Sequence, residues 1–214
     1  LFPCVLSVLS ARCCSFVSRG STVTVHLITG GARSGKSAYA EQLAAQAEAA
    51  GQQIIYIATS AGNDAEMQRR VALHRQQRPA HWVTVESPLQ LAAALQQWNQ
   101  AQYWILVDCL TVWLSNLLFS GDQHFPETGL ITPPAMVAEQ RDALLQQLTD
   151  SRADVTLVSN EVGLGIIPMG AVTRWYVDEA GRLNQAVAKV AQQVTLVVAG
   201  LPLSLKPGAV ECSR

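Results

Sequence analysis

The stretch GGARSGKS, residues 30–37, constrains the fold of this chain more than any other feature. It matches the pattern G-x-x-x-x-G-K-[ST], follows the β-branched run TVTVHLIT and precedes the helical segment SAYAEQLAAQAEAA. Glycines at these spacings let successive backbone N–H groups converge on phosphate oxygens, and the N-terminal end of a helix attracts the same charge. The pattern therefore predicts a buried strand, a phosphate-binding loop and a helix in succession. A ligand-free strand-to-helix turn is the alternative.

Three side chains are candidates for handling phosphates and a metal ion. We expect Lys36 to act as a catalytic cation on the β- and γ-phosphates, and the Ser37 hydroxyl to bind Mg²⁺. Asp108 ends the apolar run YWILVDC, and the carboxyl end of a neighbouring strand is where a second Mg²⁺ ligand is expected. Capping of the helix that follows Asp108 is the alternative interpretation, and the Mg²⁺ role is favoured over it.

Short apolar runs alternate with helical segments from residue 22 onward, which is typical of a mainly parallel α/β sheet flanked by helices. We expect one helix to begin at Asn63 or Asp64 and to run to about Gln76. A later helix is predicted to carry Leu183, Val187, Val190 and Val194 on one stripe. Strands are predicted at residues 22–29, 52–60, 82–87, 103–109, 154–160 and 194–200, the last of which is expected to close the sheet.

Composition favours one globular domain and excludes several classes of protein. Hydrophobic residues make up 49% of the chain and charged ones 14%, which argues against disorder. The net charge of -1 provides no overall attraction to nucleic acid or anionic membranes, and no apolar run is long enough to span a bilayer. Five cysteines without paired spacing indicate neither a disulfide framework nor a zinc site, so a reducing cytoplasm is expected. We expect a catalytic domain over 21–205, between an N-terminal extension (1–20) and a tail (206–214).

The segment RRVALHRQQRPAHW, residues 69–82, contains two histidines with different surroundings. His74 has Arg70, Arg75 and Arg78 near it in sequence, and these guanidinium groups suit a triphosphate. Their positive charge would also keep the imidazole neutral and therefore nucleophilic. A solvated basic helix face is the competing interpretation. His81 precedes a tryptophan at the start of a predicted strand, and we expect it to be structural.

Five stretches occur in a characteristic order: ITGGARSGKS, IYIATS, HRQQRPAHW, ILVDCLTVWLSNLLF and VSNEVGLGIIP. Together they resemble the bifunctional adenosylcobinamide kinase / adenosylcobinamide-phosphate guanylyltransferase family of cobalamin synthesis, over residues 25–200. The resemblance implies a P-loop NTPase-like fold and two reactions. An NTP, ATP or GTP, first phosphorylates adenosylcobinamide; GMP from GTP is then transferred through a GMP-histidine to give adenosylcobinamide-GDP. It also implies Mg²⁺ and a cytoplasmic homotrimer.

The resemblance further implies which residues form the site. His74 matches the covalent nucleophile, and Leu73 stands where some members have a second histidine. Glu86 is expected to accept hydrogen bonds from a guanine edge or a ribose. Asn160 and Glu161 match a further family signature and either line the site or form a strand-ending turn. The implied nucleotide-binding positions are Gly30, Gly31, Ala32, Arg33, Ser34, Gly35, Lys36, Ser37, Ala58, Thr59, Ser60, Arg75, Gln76, Gln77, Arg78, Glu86 and Asp108.

Two other functions are compatible with the phosphate loop. A different small-molecule kinase on the same scaffold would transfer a phosphoryl group without forming a covalent nucleotide. A non-catalytic sensing or assembly module would bind GTP without consuming it. The aromatic pair Trp175 and Tyr176 offers either apolar surface to a corrinoid or, more simply, packing for its own helix.

Overall fold

A computed structural model describes residues 23–60, 79–121 and 124–207. The predicted N-terminal extension, the helix expected to end near Gln76, and the segment from His74 to Arg78 lie outside the described residues. The described elements, in chain order, are β1 (Val25–Gly30), α1 (Lys36–Ala49), β2 (Gln53–Ala58), β3 (Val83–Glu86), α2 (Leu91–Gln97), β4 (Tyr103–Asp108), α3 (Leu110–Leu118), α4 (Ala135–Thr149), β5 (Asp154–Asn160), α5 (Ala171–Val190), β6 (Gln193–Val198) and β7 (Leu201–Lys206).

The strands form one sheet in the order β3-β2-β4-β5-β1-β6-β7, in which every neighbouring pair except β6 and β7 is parallel. The α/β class predicted from the sequence is thus confirmed. Every residue of β1 is buried, because helices cover both faces of a parallel sheet. Among the described residues, no helix combines the length and the apolar character that crossing a membrane requires.

Two clusters of buried side chains hold the helices on opposite faces of the sheet. On one face, Ala40 and Ala44 of α1 are fully buried in a cluster that also contains Tyr56 and Trp104 of the sheet. Because the two alanine side chains are small, the helix lies close to the strands. On the other face, α2 to α5 pack through a larger cluster around Trp113, whose indole N–H donates to the Leu89 carbonyl. The sheet therefore has a fixed orientation relative to α1, the helix that begins at the phosphate loop.

Strand β7 was not predicted, and the expectation that residues 194–200 close the sheet is wrong. Ala199 and Gly200, with φ of 53° and 79°, connect β6 to β7 in a two-residue hairpin, a turn that requires positive φ at both positions. Ala-Gly lacks the usual Asn-Gly or Asp-Gly signal, and Pro202 lowers the strand propensity although an edge strand tolerates it. The strand ends at Lys206, the first residue of the predicted tail. Val194, expected on a helix stripe, lies in β6, because α5 ends at Val190.

Buried His26 in β1 is expected to make stability depend on pH. Its imidazole hydrogen bonds with the Thr195 hydroxyl at 2.8 Å, and burial lowers its pKa from 6.5 to about 4. Above pH 6.5 both folded and unfolded states are neutral, so the full stability is present. As the pH falls from 6.5 towards 4, only the unfolded state takes up the proton, and the free energy of unfolding should drop by up to about 3 kcal/mol.

Urea unfolding of wild type and His26→Gln at intervals from pH 7 to pH 4 measures this effect. The glutamine can keep a hydrogen bond to Thr195 but does not titrate, so its stability should fall less steeply over this range. Equal slopes for the two proteins would show that His26 is not the group responsible.

Candidate active site at the carboxyl edge of the sheet

The carboxyl ends of the parallel strands bring the sequence-predicted residues to one edge. Glu86, Ala58 and Asp108 are in register across β3, β2 and β4. Gly30, at the start of the phosphate loop, pairs with Asn160 of β5. The edge from β3 to β1 spans four inter-strand steps, roughly 19 Å at about 4.8 Å per step. Open α/β sheets bind ligands at this edge.

The phosphate loop has the backbone conformation that its glycines suggest. Gly35 precedes the first turn of α1 with a φ of 95°, which a side chain would strain. A Cβ at Gly35 would also lie 3.0 Å from the Cα of Gly200 in the β6–β7 turn. The Gly200 N–H donates to the Ser34 carbonyl at 2.8 Å, and the Ser34 N–H donates to the Gly31 carbonyl. The hairpin turn therefore braces the loop from one side, while Gly31, Ala32 and Arg33 remain exposed.

Lys36 is the charged centre of the loop. Its side chain is buried, and its ammonium donates to the Gly31 carbonyl at 3.0 Å, which holds the charge over the loop. Burial lowers the pKa of this ammonium, while the nearby Cys109 and Asp108 act in the opposite direction. Its neighbour Ser37 is half-buried in the first turn of α1. A buried cation at this position is suited to a phosphate group, since little water competes for it.

Asp108 does not cap the following helix. Helix α3 begins at Leu110 after Cys109, and no side chain caps it, so the capping alternative is wrong. The carboxylate is half-buried, and its Oδ2 accepts a hydrogen bond from the buried Tyr56 hydroxyl at 3.0 Å. Within the described ranges no group of three or more His, Cys, Asp or Glu side chains could hold a metal. One carboxylate and one hydroxyl, Ser37, still suit Mg²⁺, which commonly takes few protein ligands together with phosphate and water.

Substitution of Tyr56 by Phe is expected to increase the Mg²⁺ concentration needed for nucleotide binding by on the order of tenfold, because the Asp108 carboxylate loses the donor that orients it. The ring still fills its place in the core, so stability should change little. GTP affinity titrated against Mg²⁺ measures the effect. Tyr103→Phe, at the opposite end of β4, is the matched control. An identical Mg²⁺ requirement in all three proteins would argue against an orienting role for Tyr56.

Thr59 joins the ends of two strands. Its fully buried hydroxyl donates to the Cys109 carbonyl at 2.8 Å and accepts from the Cys109 N–H at 2.9 Å. Its carbonyl accepts from the Asn116 side chain at 2.7 Å. The burial favours a positioning role for this side chain, whereas Ser60 is half-buried and Glu86 is exposed at the edge. Sequence reasoning did not identify Asn116, because a polar residue in an apolar helix indicates no partner by itself.

Asn160 and Glu161 adjoin the phosphate loop. The Glu161 N–H donates to the Gly30 carbonyl at 3.0 Å, and the Asn160 amide donates to the Thr111 hydroxyl at 2.8 Å. The Thr111 carbonyl in turn accepts from the Tyr176 hydroxyl at 2.7 Å. Tyr176 also packs against the core, as helix packing predicts. The structure thus brings the signature around Asn160 next to the loop, and it adds Thr111, for which the sequence had no signal, and a hydrogen bond of Tyr176 to that residue.

The two histidines of residues 69–82 have different outcomes. His81 lies 2.6 Å from the Glu48 carboxylate of α1, and Trp82 donates to the same carboxylate at 3.2 Å. This contact ties the start of β3 to α1 and confirms the structural role. His74, Arg75, Gln76, Gln77 and Arg78 are outside the described residues, so their roles stay predictions.

A mainly parallel sheet with a phosphate loop between β1 and α1, and an acid at the end of β4, defines a P-loop NTPase-like α/β protein. Comparison with known families narrows this class. The family described as "Cobinamide kinase / cobinamide phosphate guanyltransferase" matches residues 26–205, and the chain belongs to it.

Individual members of the family are similar over nearly their whole length. The "Bifunctional adenosylcobalamin biosynthesis protein CobP" of Pseudomonas aeruginosa is 50% identical over 180 residues, which cover 84% of this chain and 96% of that protein. The proteins called "Bifunctional adenosylcobalamin biosynthesis protein CobU" from Escherichia coli and Salmonella typhimurium are each 39% identical over 182 residues, 84% of this chain and 98% of theirs.

Proposed function

We propose that this protein phosphorylates adenosylcobinamide with an NTP and then transfers GMP from GTP to the resulting phosphate. The observation that carries the proposal is the phosphate loop with a buried Lys36 beside Asp108, in a chain of the cobinamide kinase family. A sensing module with the same loop would bind the nucleotide as well, so the match to a family described by a kinase and a guanyltransferase activity is what favours catalysis.

In the kinase step, Lys36 and the backbone N–H groups of the loop hold the β- and γ-phosphates. The oxygen of the substrate hydroxyl forms a bond to the γ-phosphorus. The bond between the γ-phosphorus and the oxygen that links it to the β-phosphorus breaks, and the hydroxyl proton leaves to solvent. Charge on the transferring group is neutralised by fixed groups, which is the main means of catalysis in phosphoryl transfer. Mg²⁺, when bound, supplies further neutralisation of the phosphate oxygens, with Ser37 and Asp108 as its protein ligands.

In the transferase step, a ring nitrogen of His74 attacks the α-phosphorus of GTP and pyrophosphate leaves. The phosphate of adenosylcobinamide phosphate then attacks the same phosphorus, releases the imidazole and yields adenosylcobinamide-GDP. The row from Glu86 to the phosphate loop, roughly 19 Å long, supports an extended nucleotide with its base or ribose at Glu86. Arg75, Gln76, Gln77 and Arg78 are proposed to contact the phosphates next to His74. A cytoplasmic homotrimer, implied by the resemblance, remains part of the proposal.

Product analysis tests the proposed function. Wild-type protein is incubated with adenosylcobinamide, Mg²⁺ and γ-phosphorus-labelled ATP or GTP, and labelled corrinoid is separated by chromatography. Unlabelled adenosylcobinamide phosphate is then incubated with α-phosphorus-labelled GTP, and label should again move to the corrinoid. Transfer in the first reaction alone would indicate a simple kinase, and transfer in neither would refute the proposal.

A further inference from the structure

An unusually apolar surface begins directly after Glu161. Residues 162–169, VGLGIIPM, here called the apolar loop, connect β5 to α5. Leu164, Ile166, Ile167 and Met169 are 85%, 98%, 78% and 91% exposed. Single exposed apolar residues are ordinary on protein surfaces, but a contiguous set of four marks a binding surface.

The apolar loop is attached to the fold at both ends. The Gly163 N–H donates to the Glu161 carboxylate at 2.9 Å. The Arg174 guanidinium donates to the carbonyls of Pro168 and Met169, and the Ala171 N–H donates to the Glu127 carbonyl at 3.0 Å. These bonds present the apolar side chains on a held backbone, so that ordering the loop on binding costs less.

A small cavity lies on the same side of the molecule, between α3 and α5. Its volume is about 190 Å³, and its walls are mainly apolar. The helix that lines one side of it starts two residues after Met169, which makes the loop and the cavity neighbours. The lining residues are Ser115, Leu118, Phe119, Val172, Thr173 and Tyr176.

Both surfaces adjoin the phosphate loop. The residue that precedes the apolar loop, Glu161, bonds to the Gly30 carbonyl, and Tyr176 of the cavity bonds to Thr111, the partner of Asn160. Neither residues 162–169 nor the cavity lining includes a charged side chain. A nucleotide, which carries several negative charges, would find no partner there, whereas an uncharged ring system would.

We propose that the apolar loop and the α3–α5 cavity, together the acceptor platform, bind the corrin ring of cobinamide and direct its hydroxyl-bearing arm to the phosphate loop. This inference rests on the proposed function. The ring is broad and carries methyl groups between the amide side chains of its edge, so it can cover the exposed side chains of the loop. The cavity is smaller than the pockets that enclose whole ligands, roughly 300–1,000 Å³, so it receives a substituent of the ring only.

The test measures cobinamide binding directly in the double variant Ile166→Ser/Ile167→Ser and in Phe119→Ala. Equilibrium dialysis against cobinamide, followed by the visible absorbance of the corrin ring, gives its Kd without any turnover. Because apolar contact area is removed from the binding surface, we expect the Kd to rise by on the order of tenfold in each variant. The Kd for GTP should stay unchanged, since neither variant touches the phosphate loop.

Leu205→Ser is the matched control. It also removes an exposed apolar side chain, but it lies near the amino edge of the sheet, where β7 pairs with the start of β6. An unchanged cobinamide Kd in both platform variants would overturn the inference. If these variants also lost self-association in light scattering, the surface would be assigned to contact with a second copy of the chain. Failure of wild type to bind cobinamide would refute the proposed function as well.

Discussion

Replacement of His74 by Ala is expected to abolish the covalent retention of GMP. Wild-type protein incubated with α-phosphorus-labelled GTP and Mg²⁺, then denatured, should keep label that survives base and is lost in acid, as a phosphoramidate does. Because the variant lacks the proposed nucleophile, the labelled fraction should fall to background, a loss of at least about a thousandfold. The measurement is the radioactivity that migrates with the protein on a denaturing gel.

His81→Ala is the matched control for this experiment. It removes a histidine of the same segment whose imidazole contacts the Glu48 carboxylate. Its labelling should match that of wild type. Phosphorylation of adenosylcobinamide should continue in His74→Ala, which separates the transferase step from the kinase step. Undiminished labelling of His74→Ala, or no label in a wild-type protein that forms the GDP product, would contradict the assignment.

Replacement of Lys36 by Met is expected to slow phosphoryl transfer to adenosylcobinamide by on the order of a hundred- to a thousandfold. The ammonium is buried and held over the loop by the Gly31 carbonyl, so water would screen little of its proposed action on the phosphate oxygens. Methionine has a similar shape and no charge, and burial of the replacement costs nothing in desolvation. The initial rate with γ-labelled ATP or GTP at saturating adenosylcobinamide measures the loss.

Lys206→Met provides the comparison, since this exposed lysine donates to the last carbonyls of α5 at the far end of β7. It should retain the full rate. Lys36→Arg should recover only part of it, because the larger guanidinium does not fit the enclosed position. A Lys36→Met protein that keeps the wild-type rate and melts at the wild-type temperature would exclude Lys36 from the chemistry.

Local patterns in the sequence were sufficient for the parts of the fold that depend on neighbouring residues. The phosphate loop follows from the spacing of its glycines. Strand β5 has the predicted bounds of residues 154–160, because a short apolar run between polar turns favours a buried strand. Asp108 was placed correctly at a strand end for the same reason. Strand β7 was missed because its hairpin lacks the usual turn residues and its proline argues against a strand.

The polar contacts within the site could not be predicted, because they depend on the register between strands that are distant in sequence. Tyr56 is one more aromatic in a buried strand until β2 and β4 are aligned, when its hydroxyl meets Asp108, 52 positions away. The bond from Asn160 to Thr111 spans 49 positions and depends on how α3 packs against the sheet. Such pairs follow from the assembled sheet, and a single sequence carries no record of them.

The hydrogen bond from Gly200 to Ser34 ties the β6–β7 hairpin to the phosphate loop. A chain shortened before Gly200 would retain every motif residue of the described site and still leave Gly35 without its neighbour. Fusion partners or tags that displace β7 would be expected to shift the phosphate loop, although they contact no ligand. Strand β7 is therefore a poor position for a label, and an inhibitor that separated the hairpin from the loop would be expected to act on the phosphate loop.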